Sequence, residues 1–150
     1  LSEKEEKHMS PQTIKILIAG VLFLHGIAHL GALAALLVNR GGHNTDGWLS
    51  ARSWLFPSLV PDAATTVASA FWVLSTIGFV AAASSFWGLL IPGDFWRQLA
   101  VASSIVSATG IVLFLGTWPT FNTLAALAVN VAVLVTQLWL HWPPQALFGK

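Results

Sequence analysis

Cysteine is absent from the 150 residues. That excludes disulfides, thiolate metal sites and thiol redox chemistry, and says nothing about compartment. Tyrosine is absent too, whereas tryptophan occurs 8 times. Any aromatic belt at a membrane surface must therefore be built from Trp and Phe. Charge is scarce: 9% of residues are Asp, Glu, Lys or Arg, against about 25% in a soluble domain. A net charge of +1 gives no basic field, and nucleic acid is excluded as a partner. No charged residue falls in the middle of a long apolar run. An intramembrane ion pair or carboxylate proton relay is thereby excluded, which argues against a pump or ion-coupled transporter. No internal repeat points to an inverted-repeat transporter.

What is present is hydrophobic: 55% of the chain, gathered into four segments bracketed by helix punctuation. The charged run 1–8 ahead of Met9 reads as an added leader joined at His8-Met9-Ser10, with a native tail as the alternative; residues 9–150 form a single domain. Segment one covers about 11–38, with Ser10 as cap and Pro11 at the first helical position, and Asn39-Arg40-Gly41-Gly42 ends it. Segment two covers about 63–90, with Asp62 as cap and Pro92-Gly93 as stop. Segment three, about 95–115, opens after Asp94 and closes at Gly116. Segment four, about 121–141, lies between Pro119-Thr120 and Pro143-Pro144. Each can cross a hydrocarbon core of roughly 30 Å, and in lipid such runs must be helices. A cleaved signal peptide is the rival for segment one, which is too long for it.

The expected fold is all-α: an integral membrane antiparallel four-helix bundle, in which helix one also meets helix four. The first loop, 39–62, is long. A short amphipathic helix is expected over 46–56, with Trp48, Ala51 and Leu55 on one face, lying on the lipid surface or acting as a lid over the bundle. Trp87, Trp96, Trp139 and Trp142 mark one interface, and Trp48, Trp54 and Trp118 the other. With Lys15, Arg97 and Lys150 on one side and Arg40 and Arg52 on the other, the positive-inside rule slightly favours cytoplasmic N- and C-termini in a bacterial inner membrane.

The segments carry a neutral polar layer: His25 and His29 in segment one, Ser75 and Thr76 in two, Ser103, Ser104 and Ser107 in three, and Asn130 in four. His25 and His29, at i and i+4, share a helix face. Asn130 and Gln137 mark the inward face of segment four, and Asn130 is expected within reach of His25. The serine-rich stripe of segment three, and Ala81-x3-Ser85 in segment two, suit close helix packing or a docking face for another subunit.

Three readings of the histidine pair stand open. The first is structural: an imidazole bonded to Asn130 or a serine, worth about 0.6 kcal/mol on average in membranes. The second is a site for a hydrophobic small molecule or cofactor, with His25, His29, Gly26 and Asn130 as ligand-binding residues. Haem, chlorin and quinone are candidates, although one helix cannot place both imidazoles on opposite faces of a macrocycle. The third is a metal-dependent enzyme in which His25, His29, His43 and Asp46 hold a transition metal; HExxH would need Glu where Gly26 stands. The balance leans away from an enzyme. A lipid bilayer is the expected environment, with homo-oligomer or other membrane subunits as candidate partners.

The motifs His25-Gly26-Ile27-Ala28-His29-Leu30, Phe71-Trp72-Val73-Leu74, Phe95-Trp96-Arg97 and Trp118-Pro119 resemble those of small, uncharacterised bacterial four-span membrane proteins with an HG-x-x-HL motif in the first helix. The resemblance covers most of the chain from Pro11 onward. It implies a four-helix membrane bundle and no established reaction.

Overall fold

The computed structural model describes residues 9–38 and 51–144. Four helices follow in chain order: α1, Pro11–Val38; α2, Pro61–Ser85; α3, Trp96–Leu113; and α4, Thr120–Leu134, which continues through a π-helical turn, Val135–Trp139. No strand occurs among the described residues. Counting the 3-10 turn Gly93–Phe95 with α3 and the π turn with α4, the spans are 28, 25, 21 and 20 residues long. At 1.5 Å per residue even the shortest reaches about 30 Å. The protein is an all-α bundle of membrane-spanning length and composition.

Its polarity is the reverse of a soluble bundle. Leu24, Ile77, Ile105, Phe121 and Leu138 point outward, while Ala, Ser, His, Thr and Asn occupy many of the buried positions beside larger side chains such as Leu22, Trp72 and Phe79. Buried residues recur at helical spacing, as at Ala19, Leu22, His25, His29, Ala32 and Leu36 on α1. Small residues inside let backbones approach where no hydrophobic drive separates lipid from protein. A Cβ on Gly26 would stand 2.9 Å from the Cβ of Phe79 and 3.3 Å from the Thr76 carbonyl oxygen. Gly26 is thus the point where α2 closes on α1. Gly78 plays the same part toward Ser103.

Several helix ends differ from the expected ones. Ser10 does cap α1, its Oγ accepting from the Thr13 N–H at 3.1 Å. Asp62 is not a cap: α2 starts at Pro61 after Val60, and Asp62 lies in the first turn, where its charge suits the helix dipole. The same helix ends at Ser85, before Leu90. The Leu89 N–H reaches the Ser84 carbonyl and the Gly88 N–H that of Ser85, with Gly88 at φ 64°. That is a Schellman ending, in which glycine supplies the left-handed residue. Asp94 falls in the 3-10 turn before α3 rather than at its cap.

The expected interfacial helix over 46–56 is not formed in its described part. Residues 51–56 are irregular, with Ala51 and Ser53 buried. The Trp54 indole N–H donates to the Val112 carbonyl at 2.6 Å, which ties the loop to the end of α3. Trp48 lies outside the described residues. Trp96 and Trp118 stand at helix ends but turn inward: Trp96 packs on Phe86 at 4.6 Å and Trp118 on His29 at 5.4 Å.

Each helix packs closely against the next in chain order, and α1 meets α4 as expected, through the His25–Asn130 bond and the packing of Ala126 with Ala32 and Leu36, although their backbones come close at few points. Two apolar clusters fill the interior. One, around Ala32, Leu36, Ala68, Trp72, Ile111 and Phe114, lies toward the first loop. The other, around Leu22, Phe79, Ala82, Trp96 and Ala100, lies toward the α2–α3 turn. The polar layer separates them.

Candidate functional site: a buried polar layer

His25 and His29 both face inward, at 8% and 0% exposure. The i, i+4 spacing stacks them on one face of α1, with ring centroids 4.9 Å apart. His25 Nε2 lies 2.9 Å from Asn130 Oδ1. The amide nitrogen of Asn130 donates to Ser107 Oγ at 2.8 Å, and Ser107 Oγ lies 3.0 Å from His29 Nε2. A continuous hydrogen-bonded chain, His25–Asn130–Ser107–His29, therefore starts on α1, passes through α4 and α3, and returns to α1.

Chemistry orients this chain. An amide oxygen only accepts, so His25 Nε2 carries its hydrogen. Ser107 already accepts from Asn130. If it also accepted from His29, its own hydrogen and the His29 Nδ1 lone pair would both go unused. Donating to His29 Nε2 leaves one group over instead of two, and each unpaired buried group costs about 1–3 kcal/mol. The hydrogen of His29 consequently sits on Nδ1.

The rest of the layer divides in two. The hydroxyls of Ser75, Thr76 and Ser103 donate to carbonyls four residues back, those of Phe71, Trp72 and Leu99. They serve their own helices. By contrast, His29 Nδ1, Trp72 Nε1, Ser104 Oγ and Thr117 Oγ1 are buried without a hydrogen-bond partner among the described residues. Two of these four, His29 Nδ1 and Trp72 Nε1, belong to one aromatic cluster. The His29 ring lies 5.6 Å from that of Trp72 and 5.4 Å from that of Trp118, with planes within 11° of parallel. Trp72 and Trp118 are 5.9 Å apart, and Thr117 immediately precedes Trp118. A flat ring inserted between two such planes needs about 7 Å, twice a van der Waals contact. The planes stand too close for that, and only ring edges and N–H groups of the cluster are open to a further contact.

Of the residues singled out in the sequence, His25, His29 and Asn130 come together directly, and Gly26 lies beside them against α2. His43 and Asp46 lie outside the described residues. No group of three or more His, Asp or Glu side chains suited to a metal occurs among the described residues, and both Nε2 atoms of the pair already have partners. Ser107 is the link that spacing alone did not single out from Ser103 and Ser104. Trp72 carried a signal: tryptophan favours the membrane interfaces, and this one lies mid-span. Trp118 and Thr117 carried none, because a turn brings them in.

A second polar cluster closes the end of the bundle that holds the α2–α3 turn. Arg97 donates from Nε to Gln137 Oε1 at 3.1 Å and from Nη2 to the Pro143 carbonyl at 2.9 Å. Gln137 Nε2 donates to the Trp142 carbonyl at 2.8 Å. The π turn places Gln137 on the same inward face as Asn130. These bonds satisfy carbonyls of the irregular segment that follows the π turn.

Comparison with protein-family models, with curated proteins and with solved structures found no match.

Proposed function

We propose that this small membrane protein binds a hydrophobic small molecule in its interior, beside His25 and His29. The carrying observation is the pair of ring nitrogens, His29 Nδ1 and Trp72 Nε1, that share one aromatic cluster and lack partners among the described residues, while His25, Ser75, Ser107 and Asn130 beside them are hydrogen-bonded. Buried donors are rarely left so, and each such group in a native structure calls for a reason. A bound molecule supplies one. The loose approach of α1 to α4 supports entry from the acyl layer rather than from water.

The test is extraction. Protein purified into lipid nanodiscs without detergent exchange is extracted into organic solvent and analysed by mass spectrometry. Wild type retains a lipophile near one per chain, and a folded His29→Leu variant loses it. Equal retention in both sinks the proposal.

A second reading, a purely structural layer, is favoured by the closed chain from His25 to His29. It predicts that His29→Leu lowers stability and changes nothing in the extract. The proposed location is a bacterial inner membrane with both termini in the cytoplasm. Four spans put residues 9 and 144 on one side, and Lys15 and Arg97 mark that side, opposite Arg52.

A further inference from the structure

The geometry points to a neutral, carbonyl-bearing lipophile of the quinone or ketone class as the molecule that the His29 cluster takes. This rests on the binding proposed above and narrows it to one chemistry. The indole nitrogen of Trp72 can only donate. The hydrogen-bond chain places the His29 hydrogen on Nδ1, so that atom donates as well. The cluster thus offers two ring N–H donors and no charge. An ammonium would meet no acceptor with a countercharge. A carboxylate would meet no cation, since no Lys or Arg lies in the middle of a span. A carbonyl oxygen accepts two or more hydrogen bonds and needs neither.

Depth narrows the source. His25 and His29 occupy positions near the middle of the 28-residue α1, about 6 Å apart along the axis at 1.5 Å per residue. Phospholipid ester carbonyls lie at the edges of a core roughly 30 Å thick. The acceptor therefore belongs to a molecule that dissolves among the acyl chains. Ser107 is a positioning residue for this site: it touches no ligand, but it holds the His29 hydrogen on Nδ1.

The test uses the full chain in nanodiscs, labelled with 15N at Trp and His. Decyl-benzoquinone and a decylbenzene of matching size are titrated in turn. The Trp72 indole and His29 Nδ1–H resonances should move with the quinone and not with the hydrocarbon. Trp72→Phe, which keeps an aromatic ring and removes the N–H, should weaken quinone binding tenfold or more. In Ser107→Ala the His29 hydrogen should redistribute between the two ring nitrogens, visible in their 15N shifts before any ligand is added. If both probes bind alike and Trp72→Phe is neutral, a hydrophobic site exists and its assignment to a carbonyl is overturned. A bare Nδ1 in the wild-type spectrum overturns the donor assignment. If neither probe binds and both N–H groups exchange readily with solvent deuterium, water occupies the place and the binding proposal falls as well.

Discussion

His25 and Asn130 are separated by 105 residues, yet their side chains meet at 2.9 Å across two helices that do not follow each other in the chain. That bond, with the Asn130–Ser107 bond, makes a single amide the junction of α1, α3 and α4. Removing it should cost more than the average interhelical hydrogen bond in a membrane.

Asn130→Ala leaves His25 Nε2 and Ser107 Oγ without their shared partner. A loss of about 1–2 kcal/mol is expected, from about 0.6 kcal/mol for an average intramembrane bond and 1–3 for an unpaired buried group. Reversible unfolding in mixed micelles measures it. A double-mutant cycle with His25→Ala should give coupling of the same sign, and an unaltered unfolding midpoint would refute the junction role.

Gly26→Ala and Gly20→Ala form a matched pair. The first puts a methyl 2.9 Å from Phe79 Cβ and 3.3 Å from a backbone oxygen, whereas the second meets nothing within 4 Å. Overpacking should cost Gly26→Ala about 1–3 kcal/mol. Gly20→Ala should be neutral or gain up to about 1 kcal/mol from the lost flexibility of the unfolded chain. Thermal unfolding of the two variants side by side decides it; similar midpoints would contradict the close approach of α2.

Arg97→Ala removes both bonds that tie α3 to the end of α4. Hydrogen bonds from charged groups are worth about 1.5–3 kcal/mol, and the Pro143 carbonyl and Gln137 Oε1 lose their donor. Faster amide exchange confined to residues 136–142, with the centre of α4 unchanged, is the expected signature. Protection equal to wild type would show that the π turn holds itself.

The absence of cysteine makes topology directly measurable. Single substitutions Ser10→Cys and Ser58→Cys lie at opposite ends of the bundle, both on exposed residues. In intact cells a membrane-impermeant maleimide should label Ser58→Cys and spare Ser10→Cys. The opposite pattern would reverse the proposed orientation.

The four helices were legible because lipid leaves an apolar run of 20 residues no alternative to a helix, and α1 starts where Pro11 suggested. Asn130 as partner of His25 was legible too, since a lone amide in mid-span needs an inward partner. Less visible was what turns decide. α2 ends at Ser85, closed by Gly88 rather than by the expected Pro92-Gly93 stop. The burial of Ala51 and Ser53 depends on where a loop lands, and no periodicity encodes that. Trp118 enters the His29 cluster because the 3-10 turn Leu115–Thr117 carries it inward, so its position as an apparent interface marker misled.

The packing of each helix on its successor, with the first and last brought together by side chains, has a bearing on biogenesis. α1, α2 and α3 can assemble in the order in which they leave the ribosome, each finding its neighbour already in place. Until the final span inserts, the imidazole of His25 and the hydroxyl of Ser107 face the bilayer without their common amide. Insertion of that last helix is then the event that locks the assembly, and a chain truncated before it would be left with its midplane polar groups unquenched and open to quality-control proteolysis.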